Sequence, residues 1–154
     1  MTEQQIFDVR FEVTYSYYLE KLTEIFNRRL EKLLLFIQFL LGGTVITGLG
    51  LDLLLGFLIA VIAGIQFAFK PGEMAGSARQ QSQRYSVLLD EFDMESVETI
   101  KKNAREIEKT DNAHPGSLAG LARFKAATRL GVEPDVDLSR VERFFAFFCG
   151  QSIR

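Results

Sequence analysis

The chain has 154 residues and a formal net charge of −2 at neutral pH, and its length fits a single domain. This nearly balanced, slightly acidic composition gives no reason to expect nucleic acid as a main partner. The single cysteine, Cys149, cannot form an intramolecular disulfide, which suits a reducing compartment. Most of the apolar excess lies in residues 33–69, so we expect that segment to differ from the rest of the chain.

The N-terminal segment, residues 1–32, carries two competing patterns. From Phe7 onward apolar and polar residues alternate, as in a half-buried strand, but no second convincing strand is present to pair with it. A helical period takes over at Tyr15 and continues into the apolar region. We therefore predict a cytoplasmic amphipathic helix from about Thr14. Residues 5–13 stay open between strand and helix, and the helix is favoured because it needs no pairing partner.

Residues 33–70 contain two uncharged stretches separated by one acidic residue. Residues 33–51 and 53–69 each approach the roughly 20 residues that a helix needs to cross a bilayer, and Asp52 lies between them. We predict a tight antiparallel hairpin of two transmembrane helices. The alternative is a buried hairpin in a soluble protein, which would need a larger shell of amphipathic partners than the remaining charged chain can supply.

Basic residues flank both spans. Arg28, Arg29 and Lys32 precede the first span, Lys70 follows the second, and the connecting loop contains no Lys or Arg. Positive charge is enriched on the cytoplasmic side of membrane proteins. The flanks therefore predict a two-pass protein with both termini in the cytoplasm.

Small residues recur at every fourth position of the second span. Membrane helices associate through close backbone packing, which small residues allow. We therefore predict helix-packing sites, which serve either the hairpin itself or a contact between molecules. The predicted packing residues are Gly56, Ala60, Gly64 and Ala68 in the second span and Gly43 and Thr47 in the first.

Each span also carries one amide. Gln38 and Gln66 lie at a similar depth if the turn centres near Asp52. The two amides would either bond to each other within one hairpin or line a polar track in a ring of hairpins. Exposure of either amide to lipid is unfavourable, because an unpaired amide in hydrocarbon costs several kcal/mol.

Residues 71–110 show two helical stripes and are expected to be a cytoplasmic helical region. The first predicted helix has residues at helical spacing, namely Ala78, Gln81, Tyr85, Leu88, Leu89 and Phe92. The second predicted helix has its own apolar stripe, formed by Val97, Ile100, Ala104 and Ile107.

Residues 111–154 are predicted to form short helices joined by linkers. Ser117 could cap one helix, and Asp137 or Ser139 could cap a last one. The aromatic run "FFAFFC" near the end exceeds what one amphipathic stripe requires. We consider three roles for it: a buried anchor, a membrane-surface anchor or an oligomer contact.

Residues able to support catalysis are scarce. The sole histidine, His114, adjoins a proline in a linker, where a solvated side chain is expected. The chain has no metal-ligand spacing, no Cys/His cluster and no phosphate-binding loop lysine. We expect neither enzyme activity nor a cofactor. Arg123, Lys125 and Arg129 form a basic face whose role is either plain solvation or contact with anionic headgroups or a partner.

The order of these segments resembles the SLATT family of membrane effectors. The resemblance rests on "RRLEKLLL", on two spans with almost no loop, and on "GIQFAFKPGEMAGSARQQSQRYSVLLDEF", and it covers about residues 15–107. The family's proline or acidic exit corresponds to Pro71 and Glu73, and its cytoplasmic tyrosine to Tyr85. The alternating start and the Phe-rich tail depart from the family pattern.

The resemblance implies a role in bacterial or prophage defence, in which the protein assembles and permeabilises the inner membrane when a partner sensor is triggered. We therefore expect an all-α integral membrane protein that forms homo-oligomers in the lipid bilayer and acts as a pore-forming or membrane-disrupting effector. A cytoplasmic sensor protein is a further expected partner. The alternative is a membrane-anchored interaction protein without a pore, and a phage holin-like protein is a third reading.

Overall fold

The computed structural model describes residues 2–46, 52–134 and 137–151, and all regular structure in these ranges is helical. The all-α prediction is therefore confirmed for the described part of the chain. Its helices are α1 (Glu3–Ile46), α2 (Asp52–Phe69), α3 (Pro71–Asp90), α4 (Val97–Glu108), α5 (Ser117–Arg129) and α6 (Arg140–Phe148).

Helix α1 is a single helix of 44 residues and includes the segment that the sequence left open. Residues 5–13 are helical because their alternating pattern also places apolar side chains four residues apart. Val9 and Val13 are buried on the same face of α1, and the rings of Phe7 and Phe11 lie 6.3 Å apart. The helix also continues without a break across the predicted boundary between residues 32 and 33.

The first two thirds of α1 form the centre of a helical bundle. On one side Val9 and Val13 pack with Tyr85 of α3 and with Ile100 and Ile107 of α4. A second cluster joins α1 to α5 and α6 and consists of Leu22, Leu118, Leu121, Ala122, Leu138, Ala146 and Cys149. Because α1 contributes to both clusters, it connects all the short helices to the apolar region.

Local capping differs in part from expectation. Ser139 accepts a hydrogen bond from the backbone N–H of Glu142, and the Glu142 carboxylate accepts one from the backbone N–H of Ser139, so α6 begins with a full capping box. The prediction for Ser117 was wrong. Ser117 is the first helical residue of α5, the cap position is Gly116, and no side chain caps this helix.

One helical stretch in the described part of the chain is long and apolar enough to cross a membrane. This stretch lies within Asp52–Asp90, the range of α2 and α3. No residue of its most apolar part is buried inside the protein. This length and composition are compatible with a membrane location. The first predicted span, residues 33–51, ends in residues 47–51, which lie outside the described ranges.

Candidate functional site

Helix α2 has one face against α1 and an opposite face without protein contact. The half-buried residues recur every three or four positions and face α1; they are Leu55, Ile59, Ile62 and Gln66. Four small residues of α2, spaced four apart, are all exposed. We call them the small-residue rail: Gly56, Ala60, Gly64 and Ala68.

The rail lies outside the contact between α1 and α2. A Cβ atom added at Gly56 or Gly64 would meet no atom within 4 Å, so the chain leaves room for a second helix there. Gly43 of α1 is exposed with the same open space, and Thr47 lies outside the described residues. Within the described part of one chain, Gly43, Gly56 and Gly64 therefore do not pack closely against a neighbouring helix.

The two amides lie on the inner side of the α1–α2 contact. Gln38 and Gln66 are both half-buried. No hydrogen bond joins them, and among the described residues neither side-chain amide has a hydrogen-bond partner. The described residues contain no buried side-chain N or O atom without a partner, so the atoms of these two amides are accessible and can bond to water or to another chain.

The predicted flanking cations mostly bind protein groups. Arg28 Nη2 lies 2.6 Å from Glu24 Oε1, and Lys70 Nζ lies 3.1 Å from Glu73 Oε2. Lys32 is exposed. Arg29 Nη1 donates a hydrogen bond of 2.7 Å to the backbone carbonyl of Phe148, the last residue of α6. Basic side chains stabilise helix C-termini in this way, so Arg29 ties α6 to α1.

The junction between α2 and α3 is a backbone bend at Lys70. Lys70 has φ 44° and ψ 54°, and it is the one non-glycine residue with positive φ in the described ranges. The next residue, Pro71, disfavours right-handed helical geometry at the position before it. The left-handed conformation costs a non-glycine residue about 1–2 kcal/mol. The bend is therefore a strained point between the apolar helix and the bundle.

An apolar cavity of about 420 Å³ lies beside this junction. Leu34 and Ile65 line the part that borders the apolar helices, and Asn27 and His114 supply its polar groups. The lining is hydrocarbon rather than a set of converging charges. It suits an apolar chain better than a polar metabolite.

A polar network that runs from the buried residues Gln81 and Tyr85 to the surface holds the linker between α4 and α5 against the bundle. Gln81 Nε2 donates to the carbonyl of Ile107, to Thr110 Oγ1 and to Asp111 Oδ1, each at 3.0 Å. The Tyr85 hydroxyl donates to Asp111 Oδ2 at 2.9 Å. Burial is the larger cause of the raised pKa of Tyr85, and the hydrogen bond to Asp111 adds to it. The hydroxyl therefore stays protonated and remains a donor at neutral pH.

Helix α1 holds the same linker through a buried carboxylate. Glu20 accepts hydrogen bonds from the backbone N–H and the side-chain amide of Asn112, at 2.8 and 2.9 Å. Burial raises the pKa of Glu20, although the bonds from Asn112 oppose this shift. The pKa of Asp111 is also raised by burial, against the bonds from Tyr85 and Gln81.

Sequence reasoning placed Gln81 and Tyr85 on the buried stripe of α3 but missed the partners of both residues. A polar residue within an apolar stripe was the available signal. No sequence pattern predicts the buried position of Glu20, because an acidic residue beside Lys21 is typical of a solvated helix face.

The described residues contain no group of three or more His, Cys, Asp or Glu side chains placed to hold a metal ion. His114 is exposed in the linker. Burial raises the pKa of the Cys149 thiol to about 11, partly offset by the Arg29 charge, so this thiol stays protonated at neutral pH. Comparison with protein-family models, with curated proteins and with solved structures found no match.

Proposed function

We propose that the chain is an oligomerising effector of the bacterial inner membrane that permeabilises the bilayer. In this proposal, α2 and the end of α1 form a two-pass hairpin, and both termini lie in the cytoplasm with the helical bundle. The resemblance to SLATT proteins supports a role in bacterial or phage-encoded defence, with a cytoplasmic sensor as the trigger.

The exposed rail of α2 is the observation that carries the proposal. An apolar helix of 18 residues without one buried side chain needs lipid around it in place of water. Contact with lipid gives small residues little favourable free energy. The rail residues nevertheless lie on the face of α2 that does not contact α1. Close approach of a second helix is the use that such a face has in a bilayer.

The unpaired amides support permeabilisation over simple anchoring. Gln38 and Gln66 lie in the segments expected to cross the bilayer, and neither has a hydrogen-bond partner in the described chain. In an assembly of hairpins, the open edge of the groove between α1 and α2 would face a central track, and water there would satisfy the accessible atoms of these amides.

The test is to induce the chain alone in bacteria and to follow membrane potential with a voltage-sensitive dye. We expect wild type to depolarise the membrane. Gly64→Leu should reduce depolarisation, because the added side chain prevents close approach of a second helix. A loss of about 1.4 kcal/mol in packing would weaken assembly tenfold. The matched control is Leu58→Phe, which adds volume at an exposed position two residues from both Gly56 and Ala60, on a different face of α2. Crosslinking in membranes should show fewer oligomers for Gly64→Leu alone.

Two results would contradict the proposal. Equal depolarisation by the two variants would mean that the rail does not mediate assembly. An intact membrane potential with stable insertion of wild type would favour the alternative, a non-conducting membrane anchor whose helical bundle recruits a partner.

A further inference from the structure

Helix α6 divides its aromatic residues between two faces. The rings of Phe145 and Phe148 lie 5.3 and 5.6 Å from the ring of Phe26 on α1. Phe144 and Phe147 are 61% and 81% exposed. The outward face of α6 follows helical spacing and combines aromatic with basic side chains. We call it the outer stripe: Arg140, Arg143, Phe144 and Phe147.

The hydrogen bond from Arg29 sets the position of this stripe along α1. It holds the carbonyl of Phe148 at a point four residues before Leu33, where the uncharged stretch of α1 begins. Four residues correspond to about 6 Å of helix. If the uncharged stretch enters the bilayer, the C-terminal end of α6, which carries Phe147, lies near the level of the lipid headgroups.

The charge of α6 also favours a lipid surface. Its single acidic residue, Glu142, is engaged in the capping box at the start of the helix and lies against Gly120 of α5. The outer stripe therefore presents two arginines and two phenylalanines without an acidic side chain. Helices that lie in membrane interfaces combine these residue types, with rings at the acyl boundary and cations at anionic headgroups.

We propose that the outer stripe of α6 is an interfacial anchor for the anionic surface of the same membrane. Phe144 and Phe147 enter the boundary between headgroups and acyl chains, and Arg140 and Arg143 contact lipid phosphates. The inference rests on the proposed membrane insertion of this chain. It adds a second attachment, which would hold the bundle against the bilayer.

The chain contains no tryptophan, so single-tryptophan variants can report depth in the membrane. We would reconstitute three full-length variants in vesicles of phosphatidylcholine and phosphatidylglycerol with brominated acyl chains. Phe147→Trp tests the anchor. Phe39→Trp, at a position 78% exposed in the uncharged stretch, tests the span. Met94→Trp, at a position 86% exposed in the turn after α3, is the water-facing control.

We expect strong quenching for Phe39→Trp, clear but shallower quenching for Phe147→Trp, and none for Met94→Trp. Quenching at position 39 without quenching at position 147 overturns the anchor and leaves the span standing. In that case a blue-shifted emission at position 147 would mean that protein covers the stripe, such as a second copy. If neither position 39 nor position 147 is quenched, both the span and the anchor are overturned. If position 147 alone is quenched, the span is overturned but α6 still contacts lipid.

The contribution of charge is tested in the Phe147→Trp background by changing Arg140 and Arg143 to glutamine. Each cation near an anionic surface strengthens membrane binding about fivefold. Loss of both arginines should therefore shift the equilibrium between membrane-bound and unbound α6 about thirtyfold. Weaker quenching is the expected result. Unchanged quenching would overturn the contact with anionic headgroups.

Discussion

Two hydrogen-bonded carboxylates, the buried Glu20 and the surface residue Asp111, contribute to how the bundle responds to pH. Each holds the linker between α4 and α5, and burial raises the pKa of each. Both groups therefore bind protons more readily in the folded than in the unfolded chain. Their contribution to stability is greatest below the unfolded values, 4.5 for Glu and 3.8 for Asp, and is lost as pH rises through the higher folded values.

We predict that Glu20→Gln weakens this pH dependence. The variant removes a buried charge, and the Asn112 amide can turn to present its oxygen to the new Gln amide. Between about pH 4 and pH 7, the thermal midpoint in detergent should fall less in Glu20→Gln than in wild type. Glu12→Gln, which changes an exposed carboxylate on the same helix, should behave like wild type. An equal fall in both variants would exclude Glu20 as a source of the dependence.

The second pair of residues is formed by the amides Gln38 and Gln66, which no hydrogen bond joins within a single chain. Because no hydrogen bond couples them, we predict that Gln38→Leu and Gln66→Leu change thermal stability additively, within about 0.5 kcal/mol. If they line a polar track, the double variant should insert and assemble yet lose depolarisation. Gln83→Leu, at an exposed position of α3, is the control for amide loss.

Strong coupling in this cycle, with single changes more costly than the double, would indicate a bonded pair instead. Wild-type depolarisation by the double variant would contradict the amide-lined track.

At the scale of elements, the bend at Lys70 separates the apolar helix from the bundle. Lys70→Gly should relieve the left-handed strain, whereas Lys70→Ala loses the same charge and ion pair but keeps the strain. We therefore predict that the glycine variant is more stable than the alanine variant by about 1 kcal/mol, after glycine's larger unfolded-state entropy is counted. Chemical unfolding in detergent measures this difference, and equal stabilities would show that the bend is unstrained.

The helices also show how aromatic clusters are divided. The run "FFAFFC" allowed three roles, and the structure divides it between two faces of one helix. Phe145 and Phe148 are half-buried near Phe26, whereas Phe144 and Phe147 are exposed. A buried role and a surface role therefore coexist within nine residues.

At the scale of the whole molecule, the proposed hairpin predicts where the chain ends lie. Basic residues flank both uncharged stretches and none lies between them. A reporter fused after Arg154 should be active only if that reporter works in the cytoplasm. A reporter inserted within residues 47–51 should be active only if it works in the periplasm. Periplasmic activity at Arg154 would contradict the two-pass arrangement.

The sequence by itself determined features that depend on neighbouring residues. Helical spacing after Tyr15, the stripes of α3 and α4 and the uncharged length of α2 are local patterns, and the structure contains the corresponding helices. The sequence left the cap of α6 between Asp137 and Ser139, and the structure has Ser139. These features are readable because a helix repeats within four residues. The first predicted span and Thr47 extend beyond the described residues, so the hairpin stays a prediction.

Tertiary structure alone decided which surfaces meet. It made residues 5–13 helical, because Val9 and Val13 could be buried against α3 and α4. It joined Glu20 to Asn112 and Arg29 to Phe148, pairs that are 92 and 119 residues apart in the chain. It also turned the rail of α2 outward. No local pattern specifies such contacts, since a face with suitable spacing can pack against any complementary surface that the rest of the chain presents.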